Sequence, residues 1–323
     1  MADTIVSVPF SYLSSDGRSR VNAKVWMDVA FGSLDTPGTE SPRAIVQIVH
    51  GMSEHIDRYD DFARYLVGRG FVVCAEDHIG HGCTALDPEN YGHMPINGGK
   101  LILLSDVHAL RQRVSECFAG VPYVMYGHSM GSFIVRSYIA RRGAGLAACV
   151  LSGTGNVPAA LSNCGRLIAR ALAKVRGESY RSAFIDKLGA GGYGSKIKNA
   201  RTNLDWLSRD DSVVDAYIAD ERCGFMFTVG GYSTLLDLTA EVVSKKCAAS
   251  VPKDLPVLFV AGSGDPVGDM GKGVQAAARL LRDAGVCRVD EIIYQDMRHE
   301  IHNEIGHERV YDDIASWIEG RIS

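Results

Sequence analysis

The stretch VPYVMYGHSMGSFIVRSYIARR, residues 121–142, decides the fold. Its first six residues, VPYVMY, form an apolar, β-branched and aromatic run of strand length, and the spacing from Met130 to Arg141 predicts a helix. Between them stands Gly127-His128-Ser129-Met130-Gly131, a G-x-S-x-G. The five-residue pattern alone is weak evidence. A strand before it and a helix after it give it content, because the flanking glycines allow a turn too tight for side chains. Such a turn sets the Ser129 hydroxyl at the carboxyl end of a sheet, with a helix N-terminus behind it.

The same alternation continues on both sides. Apolar runs at 44–50, 71–74, 147–151, 256–261 and 290–294 read as strands, and amphipathic spacing at 60–70, 101–118, 270–284 and 308–318 reads as helices. Buried β-branched strands alternating with helices predict an α/β fold with a mostly parallel sheet covered on both faces. The first thirty residues alternate more strictly. Runs 5–12 and 21–30, separated by Ser-Ser-Asp-Gly, predict an antiparallel hairpin at the sheet edge. From Gly155 to Lys246 the pattern turns helical and glycine-rich with no convincing strand. Inserted between two core strands, this segment is expected to cap the sheet. The division is thus a core of 1–154 and 247–323 with a helical cap of 155–246.

Composition narrows the function. The 323 residues are 46% apolar and 22% charged, an ordinary globular balance. Acidic residues number 38 against 34 basic ones, for a formal charge of −4. With no cationic excess and no Lys/Arg-rich stripe, nucleic acid is not an expected partner. The uncharged stretch 143–165 is long enough to span a bilayer, but its serine, glycine, asparagine and proline residues suit no lipid-facing helix. No signal peptide stands out in the first twenty residues. The eight cysteines are scattered without a C-x-x-C pair, which suggests buried thiols in a reducing cytoplasm.

A serine nucleophile needs a base to take its proton and an acid to orient that base, in the chain order serine, acid, histidine for this fold. Only His299, His302 and His307 lie downstream of Ser129. His299 follows the last strand closely and is the expected base, whereas His302 and His307 are expected on the solvated surface. Asp265, in the Gly-Ser-Gly-Asp-Pro loop that leaves the preceding strand, is the expected acid. Asp269 reads instead as an N-terminal acid for the helix that follows. Two backbone donors complete the set for acyl transfer: the Met130 N–H directly after the nucleophile, and the Met52 N–H in the loop His50-Gly51-Met52.

His50-Gly51-Met52-Ser53-Glu54-His55, Arg58-Tyr59, Asp77-His78-Ile79-Gly80-His81-Gly82, the Ser129 pentapeptide and His299-Glu300 together resemble the monoacylglycerol lipase/lysophospholipase group of α/β-hydrolases. The H-G-x-x-E-H and D-x-x-G-H-G pair is much more specific than G-x-S-x-G alone. The match covers roughly residues 20–155 and 250–323. The resemblance implies a Ser129–Asp265–His299 triad, no cofactor, and a cap that shapes an acyl tunnel. Glu54, His55, Asp77 and His81 are expected to scaffold loops.

Two other patterns carry less. Gly189-Ala190-Gly191-Gly192-Tyr193-Gly194 spells G-x-G-x-x-G, but a helical pattern precedes it where a dinucleotide site needs a strand. His299-Glu300-Ile301-His302-Asn303 lacks the second histidine four residues on that a zinc helix requires, so no metal is expected. In the cap, Trp206, Phe225 and Phe227 are candidates to line an acyl groove. The cap shows no basic amphipathic helix that would favour a membrane contact, although a transient one stays open. Ser129 at the nucleophile position excludes epoxide hydrolases and dehalogenases, which use an aspartate there. Proline-releasing peptidases usually carry Gly-Gly-Pro-Gly where this chain has His50-Gly51-Met52-Ser53, which makes them less expected without excluding them. Expected substrates are monoacylglycerols, then lysophospholipids, then short esters, with a non-catalytic ligand-binding protein as the rival class.

Overall fold

In the structure, a computed structural model that describes residues 4–322, eight strands form one sheet in the order β1-β2-β4-β3-β5-β6-β7-β8. Strands β1 (Ile5–Leu13) and β2 (Arg20–Asp28) make the expected antiparallel hairpin at one edge, and β2 is also antiparallel to β4 (Phe71–Glu76). All remaining pairings are parallel. They join β4 to β3 (Ala44–Val49), then β5 (Tyr123–His128), β6 (Ala148–Ser152), β7 (Val257–Gly262) and β8 (Val289–Tyr294). Every predicted strand occurs, with its ends displaced by a residue or two.

The central strands are buried throughout, which is why they read as continuous apolar runs. Val72, Met125 and Cys149 face one layer, with Leu103 and Leu110 of α2 (Gly99–Cys117), Ile134 and Tyr138 of α3 (Met130–Arg142) and Val274 of α9 (Lys272–Asp283). Their neighbours Val73, Val124 and Val150 face the other, with Phe62 of α1 (Asp60–Gly68) and Tyr311 and Ile314 of α10 (His307–Ile322). Each such fully buried side chain contributes about 1.5–3 kcal/mol. From β3 the chain moves outward to β4, then crosses back to β5 on the other side of β3. The connections leaving β3 and β5 therefore diverge, opening a crevice at their carboxyl ends.

Between β6 and β7 run α4 (Ala159–Arg176), α5 (Ala183–Leu188), α6 (Asp211–Ala219), α7 (Val229–Val242) and α8 (Lys245–Ala249). Helix α7 starts at Thr228, whose hydroxyl accepts the Gly231 N–H, and packs on α2, α3 and α4. Helix α4 corrects the expectation that this segment lacks a basic amphipathic helix. Its inner face sets Ala169, Ile168 and Leu172 into the core, while Leu161, Leu167 and Val175 stand 64%, 66% and 80% exposed beside Arg170, Lys174 and Arg176. The helix is apolar on two sides, so its periodicity does not reveal that one of them is uncovered.

Asp269 is a second correction. The helix begins only at Lys272 behind Gly271, and Asp269 sits in the preceding turn at φ 49°. The eight cysteines are all free; Cys74, Cys149, Cys223 and Cys247 are buried, while Cys83, Cys164 and Cys287 are exposed. No helix among the described residues is long and apolar enough to cross a membrane. The 189–194 glycines follow helix α5 and enter a 3-10 segment at 190–196, with no strand before them.

Candidate active site

Ser129 occupies the turn between β5 and α3 with φ 53° and ψ −120°, a conformation L residues rarely adopt. The flanking glycines explain how the turn closes. A Cβ on Gly127 would lie 2.6 Å from the Gly131 carbonyl oxygen, and one on Gly131 would lie 1.9 Å from that of Val49. The Ser129 N–H donates to the Ser152 carbonyl at 2.9 Å, and the Ser132 hydroxyl donates to the Ser129 carbonyl at 2.6 Å, pinning the turn to β6 and α3. Met130 is the first residue of α3, so its N–H is one of the amides the helix leaves unpaired.

Asp265 lies wholly buried just beyond β7, with Oδ1 accepting the Val267 N–H at 2.8 Å. The Nδ1 of His299 stands 3.0 Å from the same oxygen, and His299 Nε2 is buried without a hydrogen-bond partner among the described residues. Burial alone would push this imidazole down, yet the Asp265 carboxylate beside it holds the pKa above the ordinary value. Space is tight here. A Cβ on Gly153, at φ 58°, would fall 2.9 Å from His299 Cε1 and 3.2 Å from His128 Cε1.

The loop after β3 comes down beside Ser129. A Cβ on Gly51 would lie 3.0 Å from that of Ser129. Its geometry is held by the core. The Gly51 N–H donates to Glu54 Oε1 at 2.5 Å, and the Gly51 carbonyl lies 2.8 Å from His50 Nδ1. The His78 backbone N–H donates to His50 Nε2 at 3.0 Å, so Nε2 is the unprotonated nitrogen and Nδ1–H is the donor to Gly51. Gly51 C=O and Met52 N–H belong to one peptide plane, so these bonds orient the Met52 N–H as well. Burial keeps His50 neutral, well below the usual imidazole range, and its ring stacks on His78 at 4.1 Å.

Glu54 also accepts the Tyr59 hydroxyl at 2.9 Å and Arg58 at 2.8 Å. Asp77 receives the Ile56 and Cys83 N–H groups and the Asn22 amide, each near 3 Å. His81 Nδ1 meets the Ile79 carbonyl at 3.0 Å, and His55 Nε2 meets Asp220 Oδ2 at 2.8 Å. His55, Asp220 and Cys223 form the one group among the described residues whose ligand atoms lie within 4.8 Å of one another. Arg222 already bonds to that carboxylate, and burial pushes the Cys223 thiol up to about 12.

Of the aromatic candidates, Trp206 lies with its ring 5.0 Å from His299, and its carbonyl accepts the His299 N–H. Phe225 stacks on Tyr91 at 5.0 Å, while Phe227 is completely buried against His81 and Tyr232. His302 corrects the expectation of a solvated residue. It is fully buried, stacked on Tyr59 at 4.7 Å and edge-on to His128 at 4.7 Å, and burial pushes its pKa down to about 3. His307 is half-buried at the start of α10. Residues 301–303 form a single 3-10 turn, not the helix a zinc motif would need. Arg58, Glu300 and Gly153 are contributors that sequence reasoning passes over, although Arg58 and Glu300 lie inside the quoted motifs.

Three comparisons bear on this geometry. The model of the family "Serine aminopeptidase, S33" matches residues 40–306. A monoacylglycerol lipase of Mycolicibacterium smegmatis is 31% identical over 292 residues, covering 88% of this chain and 90% of that protein. The human monoglyceride lipase is 27% identical over 88% of this chain and 85% of its own length. Among solved structures, a highly thermostable carboxyl esterase from Bacillus coagulans in complex with glycerol superposes with a TM-score of 0.87 at 32% identity, over 98% of this chain and 99% of that one. The α/β-hydrolase resemblance read from the motifs is thus matched in sequence and in fold, and the chain belongs to the serine aminopeptidase S33 family of hydrolases.

Proposed function

We propose that this ester hydrolase cleaves monoacylglycerols through an acyl-serine intermediate, with Ser129, His299 and Asp265 as its triad and the Met52 and Met130 amides as its oxyanion hole. The observation that carries the reading is the meeting of four loops: the strained Ser129 turn, whose neighbour His128 lies with its ring 4.7 Å from that of His299, the His299–Asp265 pair at 3.0 Å, and Gly51 against Ser129. Ser129 Oγ attacks the ester carbonyl while His299 Nε2 takes the hydroxyl proton. The carbonyl oxygen, now negative, accepts from the two amides, each worth about 3–4 kcal/mol in the transition state. The bond to the glycerol oxygen then breaks as His299 returns its proton to that oxygen. Water, deprotonated by His299, releases the fatty acid and restores Ser129. Asp265 orients the imidazole and stabilises its charged form.

Residues 155–246 serve as a cap in this reading, with Trp206, beside His299, as the lining residue best supported; Phe225 is half-buried against Tyr91, and Phe227 is wholly buried against His81 and Tyr232. A lipid-like substrate fits the outer face of α4, where Leu161, Leu167 and Val175 are exposed beside Lys174 and Arg176. Such a face suits a lipid surface carrying negative charge, from which an amphiphilic substrate would be drawn. Eight free thiols favour a reducing compartment such as the cytoplasm.

The test is hydrolysis of monoacylglycerols and lysophosphatidylcholines of several chain lengths beside p-nitrophenyl acetate, with Ser129→Ala as blank. An optimum at medium or long monoacylglycerols that vanishes in Ser129→Ala supports the reading. Cleavage of the acetate alone makes the protein a short-chain carboxylesterase, and full activity in Ser129→Ala overturns the mechanism.

A further inference from the structure

Ser53 follows Met52 directly, and it is one of the few described non-glycine residues with a positive φ, at 56°. That conformation is costly for an L residue and persists only where neighbours impose it. The neighbours that impose it belong to the cap. The Tyr217 hydroxyl donates to the Ser53 carbonyl at 2.8 Å, and the Gly224 N–H donates to the same oxygen at 3.0 Å. The Ser53 hydroxyl in turn donates to the Phe225 carbonyl at 2.7 Å. Tyr217 is itself well placed for the role. It lies in the last turn of α6, is buried, and carries the Arg58 guanidinium over its ring at 4.7 Å. The same seam is sewn on its flank by His55 to Asp220 at 2.8 Å and Arg222 to Asp57 at 3.1 Å.

The loop that supplies the Met52 N–H is therefore clamped from two sides. His50 and Glu54 hold Gly51 from the core, and residues 217–225 hold Ser53 from the cap. We propose that Tyr217 is a positioning residue for the oxyanion hole: through Ser53 it keeps the Met52 amide aimed at Ser129, so that the hole is complete only when the cap is seated. This rests on the assignment of Met52 as an oxyanion donor. A cap residue would then govern the chemical step for every substrate, including esters too short to touch an acyl groove.

Tyr217→Phe removes the hydroxyl and keeps the ring under Arg58. The expected result is a fall in kcat of about tenfold with KM within twofold, equal for p-nitrophenyl acetate and a long-chain monoacylglycerol. Affinity for a trifluoromethyl ketone, which forms a tetrahedral oxyanion on the serine, should fall by the same factor. Ser53→Ala, which loses only the bond to Phe225, should reproduce the pattern more weakly and serves if Tyr217→Phe folds poorly. Rates are counted per site titrated with a fluorophosphonate. Unchanged kcat and ketone affinity in both variants would overturn this inference alone, as would a loss that grows with acyl length. Retained turnover in Ser129→Ala would overturn the underlying assignment and this inference with it.

Discussion

Arg58 grips Glu300 with two parallel hydrogen bonds, 2.7 and 2.6 Å long, and so ties the loop leaving β3 to the residue that follows His299. Its Nη1 also donates to Glu54 at 2.8 Å, and Glu54 receives the Gly51 N–H. One cation thus neutralises two buried carboxylates and fixes the spacing of two loops of the site. Glu300 feels this most. Burial would raise its carboxyl, but Arg58 holds it below the usual carboxylate range. Glu54 keeps the weaker share, and burial with Glu300 nearby pushes it up.

Arg58→Met should therefore do more than delete a contact. It leaves two carboxylates buried without their partner, which costs about 3–5 kcal/mol in comparable pairs. Denaturant unfolding checks this, and a loss below about 1 kcal/mol would show that the loops do not depend on the pair. Arg58→Lys keeps the charge but not the fork, and should fall between the two.

The pH dependence follows from His299. Its pKa is raised by Asp265 against the effect of burial, and in the proposed role of base it must be neutral to act. The acidic limb of kcat/KM is then expected above the ordinary imidazole value of about 6.5. Asp265→Asn removes the raising influence and leaves burial, so the limb should move to lower pH while kcat drops by roughly 10⁴-fold. An acidic limb in the same place in both proteins would exclude Asp265 as the partner of His299.

Much of this was legible in the chain because local pattern carries it. Strand runs, the Ser-Ser-Asp-Gly hairpin and the G-x-S-x-G turn are set by residues within a few positions of one another. The positions of Ser129, Asp265 and His299 at strand exits follow from the same rhythm. What stayed hidden depends on distant partners. Arg58 and Glu300 are 242 positions apart, and Tyr217 and Ser53 are 164 apart. His302 reads as a surface residue because its own loop is polar, while the rings that bury it come from Tyr59 and Tyr126. For α4, apolar residues fall on two sides of the helix, and nothing in the local pattern says which side is covered.

Buried neutral histidines set the acid stability. Burial pushes His78 and His302 to about 3 and His81 to about 4, all below the unfolded value near 6.5. Above that value none is protonated in either state and no penalty exists. As pH falls below it, only the unfolded chain gains these protons, so stability drops until the folded values are reached. Each histidine adds about 1.4 kcal/mol per pH unit in that window. His302→Phe keeps a ring against Tyr59 and should flatten the slope of stability between pH 5 and 6 by about one proton. Identical slopes in urea melts of the two proteins would mean that His302 is not held neutral.

Gly153 offers the sharpest test of the crowding around the histidine. Its φ of 58° already disfavours any side chain, and a Cβ there would meet His299 Cε1 at 2.9 Å and Nδ1 at 3.1 Å. The ring cannot retreat freely, because Trp206 and His128 hold it from other sides at 5.0 and 4.7 Å. In Gly153→Ala the imidazole must shift relative to Asp265 or the strand end must move. Displacements of this size cost on the order of 10²-fold in turnover when they disturb reacting groups. Backbone strain adds about 1 kcal/mol or more to folding. The expected variant is therefore folded, slightly less stable, and about a hundredfold slower in kcat with little change in KM. Its phosphonylation by a fluorophosphonate should slow in parallel, since that reaction uses the same proposed serine and base. Wild-type labelling and turnover in Gly153→Ala would show that His299 has room to move, and that its contact with Asp265 is not what sets the rate.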